Sequence, residues 1–373
     1  MPDIPITVAS GEYDRIRAIK DGGVPIEGCI VDYHVVEPNQ LFARNLKSQE
    51  FDVSEMPFST YITLVEQGRA HYTAIPVFLS RAFRHSAIFV RTDRGIASPA
   101  DLKGRCVGTP EYFTTMLVWM RGLLADEYGI KPHDLRWRLG GLEQPAGPTA
   151  PSPAEPRYSE GSATRTSDPS RQQPTSVGGG EKTAGVEIEP IPSGKTLAGM
   201  LADGELDAVF SARPPSCFKP PLSPLGPSLP FSASGEGLGR EQGARVARLF
   251  PDYRAAEQAY FRKSGVYPLM HAVGIRSSLL ERHPWMATSV YEAFAKAKEM
   301  AVADFERLSA LALTLPWIEA EYRATQAVLG SDIWPYGIAA NRTAIDTLCR
   351  YLHEQHFTQR RMQIEELFAP VAK

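Results

Sequence analysis

The 373-residue chain lacks the features that mark several large classes of protein. It holds only four cysteines, and no two of them are spaced as a Cys-x-x-Cys metal or redox pair. No stretch approaches the ~20 apolar residues of a membrane span, and the first residues contain no apolar run of signal-peptide length. We therefore expect a cytoplasmic protein with no membrane partner. Its thiols should be reduced and buried: Cys29, Cys106, Cys217 and Cys349.

The chain also lacks an excess of charge of either sign. Its 40 Lys and Arg residues nearly balance 43 Asp and Glu residues, which gives a net charge of -3. No bulk basic field argues for a nucleic-acid partner, so any anion must be bound locally. The length is sufficient for two compact domains, each with its own core.

Strand-like and helix-like segments alternate along the chain. Residues 4–9 and 29–36 read as strands, while residues 39–47 and 59–67 read as helices. This alternation is typical of an α/β fold. A second unit opens near residue 94.

A helix is predicted early in the second unit, directly after a short strand over Arg105–Gly108. Thr109 is suited to be its N-cap, and Pro110 fits its first turn.

Two segments of low complexity interrupt the second unit. Residues 144–183 contain no Leu, Ile, Phe or Trp, and residues 214–240 are again rich in proline. Such composition cannot bury enough apolar surface to offset its ordering entropy, so we expect disordered insertions. The expected division is a first lobe over 1–93, a second over 94–268, and a helical return to the first lobe over 269–373.

The stretch SRAFRHSAIFVR places Arg81, Arg84 and His85 immediately before an apolar strand. Arginine offers a planar fork that suits a carboxylate. We interpret the cluster as an anion site close to the crossover between lobes. The alternative is a salt bridge between the lobes with His85 packed locally.

Six blocks in this order resemble one known family. They are GEYDRIRAI, FDVSEMPFSTYI, AIPVFLSRAFRHSAIFVR, SGKTLAGMLADGELDAVFSARPPS, LFPDYRAAEQAYF and WPYGIAANR. Together they resemble the 4,5-dihydroxyphthalate decarboxylases, cytosolic relatives of the type II periplasmic-binding proteins. The resemblance implies a two-lobed α/β fold with the ligand in the cleft between lobes.

The resemblance also implies a reaction. A dihydroxylated phthalate would lose one carboxylate and leave protocatechuate, with no organic cofactor. No residue is assigned as a metal ligand, and the sequence leaves open whether a divalent metal assists. The long insertion at 144–183 departs from the family pattern and leaves the aromatic substrate open. The alternative function is a non-catalytic, cytosolic aromatic-acid-binding protein of the same fold.

Three residues are assigned catalytic roles as hypotheses. His85 is the first choice as proton donor to the ring carbon, Glu55 is placed at the substrate hydroxyls, and Glu111 is a second candidate donor. The arginine cluster is assigned to the carboxylate that stays. The residues expected to contact substrate follow strands or open helices at the cleft: Tyr13, Arg15, Arg81, Arg84, Thr109, Tyr112, Arg213 and His271.

Each assignment has a structural alternative. Arg15 could be solvated in a capped turn, Glu55 could cap the following helix, Glu111 could be an ordinary first-turn acid, and His271 could be a satisfied buried histidine. The motif HEQH at 353–356 has the wrong spacing for a zinc protease and fits a solvated helix face. The oligomeric state, including a homo-oligomer, is left open by the sequence.

Overall fold

The computed structural model describes residues 3–145, 186–219, 245–307, 311 and 313–371. The strands in this part are β1 (Ile4–Ser10), β2 (Cys29–Val35), β3 (Val53–Pro57), β4 (Tyr72–Arg81), β5 (Ile88–Arg91), β6 (Cys106–Thr109), β7 (Arg136–Leu139), β8 (Ile188–Pro190), β9 (Ala208–Phe210), β10 (Val246–Arg248) and β11 (Leu269–Arg276).

The α-helices in the same part are α1 (Arg17–Lys20), α2 (Pro38–Ser48), α3 (Phe58–Glu66), α4 (Thr115–Tyr128), α5 (Leu197–Asp203), α6 (Tyr253–Ser264), α7 (Ser277–Arg282), α8 (Met286–Ala303), α9 (Ile318–Leu329) and α10 (Arg342–Glu354). None of these helices is long and apolar enough to cross a membrane.

The strands form two separate mixed sheets. The first has the order β2-β1-β3-β11-β4, and the second has the order β10-β5-β9-β6-β7-β8. β11 comes late in the chain, yet it lies antiparallel between β3 and β4. The chain therefore passes from the first sheet to the second and back again, which confirms the predicted two-lobed α/β architecture.

The two passages between the sheets frame the second lobe. β5 pairs with β9 and β10, so it belongs to the second sheet. The first passage is therefore residues 82–87, earlier than the expected boundary at residue 93. The return passage spans residues 249–268 and ends where the third segment was expected to start. The predicted insertions lie almost entirely outside the described residues.

The central strand β1 is apolar on both faces because helices cover both sides of its sheet. Ile6 and Val8 pack in the core that contains α8, whereas Ala9 packs against Leu41 and Phe42 of α2. Strands β1 and β3 pair in parallel, so their carboxyl ends meet at one edge of the first sheet, where polar residues lie.

Helix α4 begins later than the sequence predicts. Its N-cap is Thr114, whose hydroxyl accepts from Leu117 N at 3.3 Å. Thr109 is instead the last residue of β6, paired with Leu139 of β7, and its hydroxyl donates to the Glu111 carbonyl at 3.0 Å. Strand pairing holds Thr109 extended, so the predicted helix start at 109–110 is wrong. Helix α5 ends at Asp203, and Gly204 follows it in the left-handed conformation that favours glycine.

One hydrophobic core is shared by α3, α4 and α10. Its buried members include Phe58, Tyr61, Trp119, Leu123, Leu348 and Leu352. Polar contacts reinforce this junction: Ser59 and Thr115 share a buried hydroxyl hydrogen bond of 2.8 Å, and the Trp119 indole donates to the Leu269 carbonyl at 2.8 Å. The two lobes are thus packed together along one side.

Candidate active site

A buried carboxylate, Glu55, lies at the centre of the polar residues on the first sheet. It stands on β3 opposite Val273 of β11, and its side chain is 0% exposed. One carboxylate oxygen accepts from Gly11 N at 2.8 Å. The other accepts from the Tyr13 hydroxyl at 2.8 Å and bonds His271 Nδ1 at 2.7 Å. Three segments that are distant in sequence therefore converge on one side chain.

Glu55 is ionised despite its burial. Burial alone would raise the pKa of this carboxyl, but hydrogen bonds from His271, Gly11 and Tyr13 outweigh that effect and hold the pKa below its ordinary value. Both of its oxygens already have donors. Glu55 is therefore placed to orient His271.

His271 is the group in this cluster that can reach a ligand. Its side chain is 20% exposed, and the Phe42 ring packs edge-on against it at 4.9 Å. Nδ1 is fixed by Glu55, whereas Nε2 makes no hydrogen bond with any described residue. A carboxylate that fixes one imidazole nitrogen and leaves the other free is an arrangement suited to proton transfer.

Phenols surround this pair. The Tyr33 hydroxyl shares a hydrogen bond of 2.8 Å with Ser10 Oγ. Burial, reinforced by the negative charge of Glu55, raises the pKa of both Tyr13 and Tyr33. Both phenols therefore stay protonated at neutral pH and act as hydrogen-bond donors.

Arg15 supplies a positive charge next to Tyr13, the residue that donates to Glu55. Its guanidinium lies 4.2 Å from the centre of the Tyr13 ring and 4.3 Å from that of Trp334, so two aromatic faces enclose it. Nε donates to the Leu79 carbonyl at 2.9 Å, and Nη1 lies 3.1 Å from the Asp14 carboxylate.

Arg81 is buried, and other residues of the protein accept hydrogen bonds from its guanidinium. Its Nη2 donates to the Pro335 carbonyl at 2.7 Å and to Asn341 Oδ1. Burial lowers the pKa of Arg81 to about 10, which leaves it charged at neutral pH. Its Nε is buried and has no partner among the described residues.

Arg84 and His85 lie in the first passage between the sheets and differ from each other. The Arg84 guanidinium makes no hydrogen bond with any described residue, and its Nε is buried. Burial lowers the pKa of Arg84 to about 10, against the attraction of Glu257 and Tyr267. His85 packs against Phe250 at 5.0 Å, and burial lowers its pKa to about 4. His85 is therefore neutral at pH 7. Arg84 is a cation that forms no ion pair with a described carboxylate.

The predicted site residues of the second lobe do not form a hydrogen-bonded cluster like the one around Glu55. Tyr112 is buried, with the Arg121 guanidinium 4.0 Å from its ring and Trp137 edge-on at 5.2 Å. The Glu111 carboxylate receives no hydrogen bond from a described residue, and burial raises its pKa to about 7. Arg213 is 77% exposed and lies 3.7 Å from Glu37.

The structure thus gathers a subset of the predicted residues on the first lobe. The Tyr267 ring connects part of this group, because it lies 5.3 Å from the Arg81 guanidinium and 5.7 Å from the Trp334 ring, which in turn packs on Arg15. Brought together are Tyr13, Arg15, Glu55, Arg81, Arg84 and His271; Thr109, Glu111, Tyr112 and Arg213 belong to the second lobe, and His85 packs among rings. Within the described ranges, no group of three His, Cys, Asp or Glu side chains is arranged to hold a metal ion.

Sequence reasoning missed five members of this group. They are Ser10, Tyr33, Tyr267, Trp334 and Tyr336. Ser10 could have been found, because it is a polar residue at the end of a buried strand. The others could not be assigned from local pattern, since tyrosine and tryptophan are also common core residues.

Comparisons with known proteins were made over the whole chain. Residues 23–144 match the model of a phosphonate-binding family, described as ABC transporter, phosphonate, periplasmic substrate-binding protein. A solved structure of the periplasmic aliphatic sulphonate binding protein SsuA from Escherichia coli aligns with 99% of this chain and 98% of its own. That alignment has a TM-score of 0.46 at 12% identity.

Two curated relatives share much higher identity. A 4,5-dihydroxyphthalate decarboxylase from Comamonas testosteroni is 35% identical over 372 residues, which cover 100% of this chain and 98% of the relative. A protein of the same name from Pseudomonas putida is 38% identical over 223 residues, or 58% of this chain and 74% of the relative.

Proposed function

Because the chain belongs to the 4,5-dihydroxyphthalate decarboxylase family, we propose that it removes one carboxylate from a dihydroxylated phthalate. With 4,5-dihydroxyphthalate as substrate, the products are protocatechuate and carbon dioxide. The observation that carries this proposal at the level of the site is the Glu55–His271 pair beside arginines that have no carboxylate partner.

The charge of the site supports an anionic substrate. Arg81 is buried, Arg84 is partly buried with its Nε shielded from solvent, and neither forms an ion pair with a described carboxylate. A buried cation without a counter-ion is costly, and a bound anion relieves that cost. A phthalate carries two carboxylates, so it supplies the missing charge twice.

His271 is the proton donor in this proposal, in place of His85. The ring carbon that bears the departing carboxylate must gain a proton, while the hydroxyl para to it supplies electrons to that carbon. The bond between ring and carboxylate then breaks, carbon dioxide leaves, and its bonding electrons restore the aromatic ring. The free Nε2 of His271 is available to give the proton, whereas burial keeps His85 neutral.

Glu55 acts through His271 in this proposal. Its oxygens are already occupied by Gly11, Tyr13 and His271. It is therefore a positioning residue, which fixes the ring orientation of His271. The hydroxyls of the substrate must find other partners.

The arginines hold the carboxylate that stays. A cation bound tightly to the departing carboxylate would stabilise the ground state more than a transition state that is losing that charge. Arg84 has the free guanidinium for this task, and we assign it to the retained carboxylate.

The test is incubation of the purified protein with 4,5-dihydroxyphthalate, phthalate and 4-hydroxyphthalate. Chromatography should detect protocatechuate from the first compound, together with an equal amount of carbon dioxide. Parallel reactions with and without a chelator test for a metal requirement. Saturable binding of 4,5-dihydroxyphthalate without any product would overturn the proposal in favour of a binding protein.

A further inference from the structure

The hydroxyl of Tyr336 is a buried donor that no described residue satisfies. The side chain is 8% exposed, and its oxygen has no hydrogen-bond partner among the described residues. The neighbouring phenols differ, since Tyr13 donates to Glu55 and Tyr33 is bonded to Ser10. A buried polar atom without a partner costs stability, so its persistence points to a function.

A second unsatisfied donor belongs to the same region. Arg81 Nε is buried without a partner, while Nη2 of the same guanidinium grips the carbonyl of Pro335, the residue before Tyr336. The positive charges of Arg15 and Arg81 and the negative charges of Asp14 and Glu55 all act on the Tyr336 hydroxyl. The hydrogen bond from Arg81 to Pro335 thus brings the two unsatisfied donors to the same segment.

The segment that carries Tyr336 is firmly held. Asn341 Nδ2 donates to the carbonyls of Pro335 at 3.0 Å and Gly337 at 2.7 Å. Gly337 N donates to the Pro76 carbonyl at 2.8 Å. Gly337 adopts a φ of +86°, where a side chain would be strained. The phenol is thus supported by backbone contacts on both sides and is preorganised.

The phenol is able to donate a hydrogen bond at neutral pH. Burial is the largest influence and raises the pKa of Tyr336, so the proton stays on the oxygen. A protonated phenol beside guanidinium groups pairs favourably with an oxygen that carries negative charge.

We propose that the Tyr336 hydroxyl and Arg81 Nε together donate to the retained carboxylate of the substrate. This inference rests on the proposed function for the identity of the ligand. It adds to the site a substrate-binding residue, Tyr336, and gives Arg81 a second role beside the support of its loop. Arg84 approaches the same carboxylate from the passage between the sheets.

The test uses Tyr336→Phe, which removes one oxygen and keeps the ring. Tyr291→Phe is the matched control, because the Tyr291 hydroxyl lies beside Gly337 of the same segment and has no role in the proposal. Calorimetry should measure the dissociation constants of three probes: protocatechuate, benzoate and catechol.

We expect Tyr336→Phe to weaken protocatechuate and benzoate by about 10- to 100-fold, the usual range for a hydrogen bond to a charged group. Catechol, which lacks a carboxylate, should bind as before, and Tyr291→Phe should change none of the three. Equal weakening of catechol, or no weakening of benzoate, would overturn the inference.

These readouts separate the inference from the proposed function. Selective loss of carboxylate binding in a protein that makes no protocatechuate would support the subsite and refute the decarboxylase activity. Intact turnover with unchanged binding in Tyr336→Phe would do the reverse. Should Tyr336→Phe fail to fold, Tyr336→Met removes the same hydroxyl and carries the same expectation.

Discussion

Replacement of Glu55 by glutamine is the sharpest perturbation of the proposed proton donor, because it removes a charge and almost no volume. The Gly11 N–H requires an oxygen, so the new amide must turn its NH2 toward Tyr13 and His271 Nδ1. His271 then has to accept a hydrogen bond at Nδ1. The doubly protonated ring, which has no lone pair there, becomes unfavourable.

The magnitude follows from the contact that is lost. A hydrogen bond to a charged group contributes about 1.5–3 kcal/mol. Converted at 1.36 kcal/mol per factor of ten, Glu55→Gln should lower kcat by about 10- to 100-fold. His271→Gln removes the donor itself and should lower kcat by about 100-fold or more.

The double variant supplies the decisive comparison. If Glu55 acts only through His271, adding Glu55→Gln to His271→Gln should lower kcat no further, whereas independent roles would multiply the two losses. Steady-state kinetics with 4,5-dihydroxyphthalate provide the assay, and thermal unfolding checks that each variant is folded. His85→Gln is the matched histidine control and should keep near-normal turnover. Loss of turnover in His85→Gln with normal turnover in His271→Gln would refute the assignment.

Three further outcomes are expected. Arg84→Ala should raise KM by about 10- to 100-fold with little change in kcat, because it removes a charged contact present in both ground and transition states; unchanged KM would exclude Arg84 from binding. Burial raises the pKa of Glu257 to about 7, so its protonated form stabilises the fold at pH 5 and that contribution is lost as the pH rises to 8. Glu257→Gln, which cannot ionise, should therefore match the unmodified Tm at pH 5 and exceed it at pH 8; parallel curves would contradict this. Deletion of residues 146–182, which lie outside the described residues, should leave Tm and turnover unchanged because the segment has no core-forming side chains; a folded but inactive variant would show that the segment serves the site.

Local pattern was enough to predict an α/β fold and several of its elements, whereas the two-lobed architecture was implied by the resemblance to a known family. The strand predicted at residues 4–9 and the helices predicted at 39–47 and 59–67 follow from apolar periodicity, and they correspond to β1, α2 and α3. The predicted start of α4 was wrong. Thr109 has the side chain of a good N-cap, but its pairing with β7 keeps it extended. The pairing of these two strands cannot be recognised from the local sequence pattern.

The composition of the site depended on long-range contacts. Glu55 and His271 are 216 positions apart, and they meet because β11 is inserted beside β3. Arg81 and Arg84 have the same chemistry in the sequence. The structure separates them, because Arg81 ends a strand and grips the segment at 335–341, whereas Arg84 lies in the passage beyond it.

The core shared by α3, α4 and α10 has a consequence for the life of the protein in the cell. Two lobes joined only by two chain passages could unfold one at a time and leave a half-folded form. Here Trp119 and Leu123 of one lobe pack against Phe58 and Tyr61 of the other. Loss of either lobe would expose the apolar face of its neighbour, so half-folded forms are disfavoured. Proteases and aggregation act on such forms, and the junction therefore protects the chain from both.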